Sequence, residues 1–157
     1  MSLHDNSLAA VFTDTLMELM KDNLNIVCLD SDLGRATGAY IKIRDAFPDN
    51  YFNVGVAEAN MIGIASGLAN EGKIPFAASF SCFVTRRVYD QATISVAYAN
   101  NPVQIIGFDP GVAVTMNGGT HMCFEDMAIM RAMPNMRVFS PVDVYELKTL
   151  IKYITRE

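Results

Sequence analysis

Glu58 holds the clearest chemical promise in the sequence. It is a lone acid in Asn53-Val54-Gly55-Val56-Ala57-Glu58-Ala59-Asn60, where a strand passes into a helix amid small apolar residues. Two readings are open. A first-turn glutamate is favoured by the helix dipole and need do nothing more. A carboxyl withdrawn from water at a strand end is instead suited to hydrogen-bond and proton-transfer work. A second segment is Ser79-Phe80-Ser81-Cys82-Phe83, followed by Arg86, Arg87, Tyr89, Asp90 and Gln91. Phe80 and Phe83 are either ordinary core residues or a stacking surface for a flat heterocycle. A third runs from Asp109-Pro110-Gly111 to Asn117-Gly118-Gly119-Thr120-His121. It is either a mobile glycine loop with an incidental histidine or a functional loop, and long loops at a sheet edge are more often the latter.

The elements that must position these residues alternate along the chain. Leu8, Val11, Phe12, Leu16, Leu19 and Met20 fall at helical spacing, with Ser7 or Asp5 as the cap. Strands are expected at 25–29, 51–54, 74–79, 103–108 and 137–139. Helices are expected at 36–47, ended by Pro48, and at 57–69, 84–99 and 124–133, with a last one opening at Ser140-Pro141. Continuous apolar strands separated by helices predict an α/β fold, a twisted parallel sheet of five or six strands with helices on both faces. Sites in such folds lie beyond the carboxyl ends of the strands, which puts the three segments on one rim. Gly63 and Gly67 share one face of the helix after Glu58, a spacing that suggests close approach of another backbone.

A chain of 157 residues predicts one domain over 1–157, with 1–6 as a tail. With 51% apolar and only 18% charged residues, the chain is not a disordered one. The formal charge of −5 and the lack of clustered Lys and Arg argue against nucleic acid. No apolar run approaches the roughly 20 residues that span a bilayer, and the start lacks the blocks of a signal peptide. Cys28, Cys82 and Cys123 form no CxxC pair, which fits a reducing cytoplasm, and two histidines make a zinc site improbable.

The order of these segments carries more than any one of them. Phe52 to Met61 resembles the glutamate motif of the transketolase family, and most of all that of the C-terminal subunits of split transketolases. Leu29-Asp30-Ser31-Asp32-Leu33 resembles the early acidic motif. Gly72 to Phe76 and Ser79 to Phe83 resemble the aromatic motif, and Tyr89-Asp90-Gln91 its helical continuation. Gly119-Thr120-His121 resembles the histidine loop. Pro134 to Val138 and Ser140 to Asp143 resemble the closing strand and helix. The resemblance runs from about Ala9 to the end.

The resemblance implies the pyrimidine-binding domain of the thiamine diphosphate-binding fold, with thiamine diphosphate as the cofactor. Glu58 would hydrogen-bond the pyrimidine N1′ and favour the imino tautomer that takes the proton from thiazolium C2. Phe83 would stack on the ring, with Phe80 closing the pocket and Asp32 as an interface acid near the cofactor. His121 would contact the sugar substrate, with Asn117 and Asp109 as weaker substrate candidates. The family holds magnesium and the diphosphate on a separate domain with a Gly-Asp-Gly motif, which this sequence does not contain. That domain and a C-terminal domain are expected on other chains or segments. The partners implied are a diphosphate-binding subunit or domain and a sugar phosphate, in a homodimer or heterotetramer. The chain departs from the family at Leu8-Ala9-Ala10, where an arginine is usual, and at Thr115-Met116-Asn117-Gly118, where acids are usual. Transfer of a two-carbon ketol unit between sugars is the leading expectation. A deoxyxylulose-phosphate synthase-like or other 2-oxo-acid-using component, or a non-catalytic assembly subunit of the same fold, are the alternatives.

Overall fold

Four parallel strands form the centre of the molecule: β1 (Ile26–Asp30), β2 (Tyr51–Asn53), β3 (Ile74–Phe80) and β4 (Gln104–Phe108). The computed structural model describes residues 7–156. The strands lie in the order β2-β1-β3-β4. Cys28 pairs with Tyr51 and Phe76, and Phe76 with Gln104. All five residues of β1 are buried, as a central strand covered on both faces must be. Its side chains alternate between two cores. Val27 and Leu29 pack with Met61, Ile62 and Ala65 on one side. Ile26 and Cys28 pack with Phe12, Leu16, Ile43 and Ile151 on the other.

The second core is roofed by α1 (Leu8–Met20) and α8 (Val144–Ile154), with α2 (Gly34–Thr37) and α3 (Ile41–Ala46) beside them. Ser7 caps α1 by accepting the Ala10 N–H at 3.2 Å, while Asp5 lies outside the described residues. The single helix expected over 36–47 is two, because Gly38 turns left-handed at φ 70 between them. Asp143, not Ser140, caps α8. Its extended backbone lets the carboxylate accept from the Tyr145 and Glu146 N–H groups, so Pro141 stays outside the helix.

The first core is covered by α4 (Glu58–Asn70), by α7 (Asp126–Arg131) and by the chain from 81 to 98. That stretch differs from the continuous helix expected over 84–99. It comprises α5 (Ser81–Val84), a 3-10 turn (Arg86–Val88), α6 (Tyr89–Gln91) and a π-helical run (Ala92–Tyr98). The first break is at Thr85, whose hydroxyl donates to the Ser81 carbonyl at 2.6 Å. The π run has an identifiable cause. The Ser66 hydroxyl and the Asn101 amide both donate to the Ser95 carbonyl, at 2.8 and 3.1 Å, and so satisfy an acceptor that a regular helix would use itself.

The sheet has four strands among the described residues rather than five or six. Residues 137–139 were expected to extend it, but they form no ladder with β4. Val138 packs on the first core and the Arg137 guanidinium lies 5.9 Å from the centre of the Tyr153 ring. Side-chain anchoring thus takes the place of strand pairing there.

Candidate functional site

The carboxyl ends of β1, β3 and β4 meet on one rim, and the rim is built from a buried acid upward. Asp30 ends β1 and is 3% exposed. Its carboxylate accepts the Leu33 N–H at 2.9 Å, the Gly34 N–H at 3.0 Å and the Tyr51 hydroxyl at 2.7 Å. A β-carbon on Gly34 would lie 2.6 Å from the same carboxylate, so only glycine fits. Burial, then the hydrogen bond to Asp30, pushes the Tyr51 hydroxyl well above the usual tyrosine range. The turn so formed holds Asp32 in a left-handed conformation at φ 65, and Asn53 donates to its carboxylate at 2.9 Å. Asp32 is exposed on the rim, whereas Leu33 next to it packs on Phe80 and Phe83.

Beyond β3, Phe80 and Phe83 are buried, with ring centres 6.0 Å apart at 71°. His121 joins them from the loop after β4, 5.0 Å from Phe83 at 64° and 5.7 Å from Phe80 at 73°. Several contacts hold that loop. Gly111 and Cys123 exchange backbone hydrogen bonds of 2.8 and 3.1 Å. Arg86 donates to the Glu125 carboxylate at 2.9 Å and to the Thr120 carbonyl at 3.3 Å. Thr120 Oγ1 lies 2.9 Å from His121 Nδ1.

Glu58 opens α4 and is 3% exposed. It is not alone, as the sequence suggested. The Arg87 guanidinium donates to its Oε1 at 2.9 Å. The same guanidinium lies over the Phe83 ring, 3.7 Å from its centre. One planar cation therefore touches both the buried carboxyl and the aromatic surface. Glu58, Phe80, Phe83 and His121 are brought together. Asp109, at φ 51 after β4, and Asn117, on the 3-10 turn Thr115–Asn117, are both exposed, and no hydrogen bond or ion pair joins them to these four among the described residues. Arg86, Arg87 and Asp30 had no assigned role in the sequence. The one available signal was that Arg87 follows Phe83 by four residues, about one helical turn.

The family description "Transketolase, pyrimidine binding domain" matches residues 5–157. The chain belongs to the transketolase pyrimidine-binding domain family. This pyrimidine-binding domain is 46% identical over 152 residues to the 6-deoxy-6-sulfo-D-fructose transketolase subunit SqwH of Clostridium sp. (strain MSTE9), covering 97% of the chain and 47% of that protein. It is 45% identical over 143 residues to a putative transketolase C-terminal section of Methanocaldococcus jannaschii, covering 91% of the chain and 45% of that protein. Among solved structures, a split-gene transketolase described as an inactive beta4 tetramer superposes with a TM-score of 0.80 at 36% identity, over 96% of this chain and 48% of that one. The chain spans about half the length of the curated relatives it matches. The 1-deoxy-D-xylulose-5-phosphate synthases are more distant, as the 35% identity to that of Natranaerobius thermophilus shows.

Membership of the family implies thiamine diphosphate as the cofactor. The residues fit an aminopyrimidine: an aromatic face and a buried carboxyl lie within reach of one planar group. Among the described residues no three His, Cys, Asp or Glu side chains converge as a metal site requires. No helix of the described residues is long and apolar enough to cross a membrane.

Proposed function

We propose that this chain is the pyrimidine-binding half of a transketolase-like enzyme that transfers a two-carbon ketol unit between sugars. A partner subunit or domain supplies the diphosphate and magnesium site, in a homodimer or heterotetramer. The observation that carries this is Glu58, buried at the start of α4 and linked to Phe83 through a single guanidinium. Thiamine diphosphate supplies a nucleophilic C2 carbon when bound. Glu58 hydrogen-bonds the ring nitrogen of the pyrimidine, Phe83 stacks on the ring, and Phe80 closes the pocket behind it. His121 is held edge-on to both rings with one side partly open, suited to a sugar oxygen. Asp32 on the rim suits a contact with the partner near the cofactor. Asn117 and Asp109 are exposed and suit weaker contacts farther along the substrate.

The similar subunit named for 6-deoxy-6-sulfo-D-fructose, and the inactive tetramer of a solved relative, support a chain that works with a second component. Three buried free thiols, Cys28, Cys82 and Cys123, support a reducing cytoplasm. The test is exchange of the C2 proton of thiamine diphosphate in the complete assembly, followed by NMR. Glu58→Ala is expected to slow exchange by at least about 100-fold. Unchanged exchange would refute the assignment.

A further inference from the structure

Arg87 touches the two groups that a bound pyrimidine needs. Its guanidinium lies 3.7 Å from the centre of the Phe83 ring. A group that close to a ring centre is over the face, not at the edge. Phe80 and His121 meet Phe83 at steep angles of 71° and 64°, so neither takes that face by stacking. The same guanidinium donates to Glu58 Oε1 at 2.9 Å. Guanidinium and aminopyrimidine are alike in what matters here: both are flat, both stack, and both carry in-plane nitrogens that hydrogen-bond a carboxyl group. The Arg87 side chain is 44% exposed, while that of Glu58 is 3% exposed. Arg87 thus reaches in from the solvent side to a carboxyl that stays inside.

We infer that Arg87 is a gate residue that competes with the pyrimidine of the cofactor for Phe83 and Glu58 and must swing outward to admit it. The inference rests on the functional reading above. No atom on the inner side moves: Glu58 is fixed by its place on α4 and Phe83 by Phe80 and His121. The exposed arginine, with several rotatable bonds and no second carboxylate partner among the described contacts, is the group free to leave. The arginine also keeps Glu58 paired until the exchange is made, which a gate built from an apolar side chain would not do.

The test measures binding rates. Radiolabelled thiamine diphosphate is added with magnesium to the full assembly, and bound label is followed by rapid filtration. Arg87→Met keeps the length and removes both the charge and the flat fork. Arg87→Lys keeps the charge alone. Association is expected to be about tenfold faster in Arg87→Met, with an intermediate rate in Arg87→Lys and a dissociation rate near that of the wild type. Unchanged or slower association in Arg87→Met overturns the gate. The C2-proton exchange of Glu58→Ala separates the two readings. If exchange collapses there while Arg87→Met binds no faster, only the gate fails. If exchange is unaffected, the pyrimidine site itself is wrong.

Discussion

Replacing Asp30 by Asn should loosen the rim without changing its shape. The native carboxylate accepts three hydrogen bonds, from the Leu33 N–H at 2.9 Å, the Gly34 N–H at 3.0 Å and the Tyr51 hydroxyl at 2.7 Å. Asparagine has one acceptor oxygen. It will face the Gly34 N–H and the Tyr51 hydroxyl, where two bonds are at stake on the same oxygen. The new NH2 then faces the Leu33 N–H, donor against donor. Losing one charge-assisted bond and leaving a donor unpaired at a site 3% exposed costs about 2–3 kcal/mol. Asp30→Ala loses all three hydrogen bonds and costs about 4 kcal/mol. Tyr51→Phe removes one bond and costs about 1 kcal/mol. The assay is urea unfolding of the full chain, where a loss of about 2 kcal/mol moves the midpoint down by roughly 1 M. The double variant Asp30→Asn with Tyr51→Phe should fall short of the sum, because the Tyr51 hydroxyl bond is already weaker once its acceptor is a neutral amide instead of a carboxylate. An Asp30→Asn chain within about 0.5 kcal/mol of wild type would refute the reasoning, since it would mean that the turn does not depend on the carboxylate.

Two further predictions concern pH and association. Tyr40 and Tyr51 are both pushed above the usual tyrosine range, chiefly by burial. A tyrosine whose folded pKa is raised adds stability in full below the unfolded value, about 10, and loses it as pH climbs toward the folded value. Part of the tyrosinate absorbance at 295 nm should therefore rise together with loss of circular dichroism above about pH 10, and Tyr51→Phe should shrink that part. Gly67→Leu on α4 should keep or raise the melting temperature of the chain, because among the described residues nothing beyond the helix's own backbone lies within 4 Å of an added β-carbon and leucine is the better helix former. It should nevertheless abolish association in sedimentation; an assembly of unchanged mass would show that this face is not an interface.

The residues of the site were legible because each sits in a short run with a chemical meaning of its own. Glu58 marks a strand-to-helix junction, Phe80 and Phe83 bracket a strand end, and His121 closes a glycine-rich loop. Contacts that join distant segments were not legible. Arg87 and Glu58 are 29 residues apart, and what brings them together is the break at Thr85 that re-aims the chain after α5. The π run was hidden for the same reason, since its cause is an Asn101 side chain from beyond the helix and a Ser66 from another one. Residues 137–139 have the apolar pattern of a strand, but pattern does not state whether an edge is there to pair with. At the last helix two capping signals competed, Ser140-Pro141 and Asp143, and the residue with a carboxylate aimed at two free N–H groups prevailed.

One helix carries both halves of the argument about function. Met61, Ile62, Ala65 and Ala69 of α4 are buried against β1 and β3. Asn60, Gly63, Ile64 and Gly67, one turn apart on the opposite side, are exposed, and among the described residues nothing beyond the helix's own backbone lies within 4 Å of where a β-carbon on either glycine would stand. Nothing within the described chain therefore accounts for two residues that each cost a helix about 1 kcal/mol. A second chain closing on that face does account for them, since glycine lets backbones approach. Glu58 is the first residue of the same rigid element. A subunit docked along Asn60, Gly63 and Gly67 would then fix the carboxyl relative to its own groups through one unbroken helix. That is what a cofactor shared between two domains requires, and a carboxyl on a loop could not supply it.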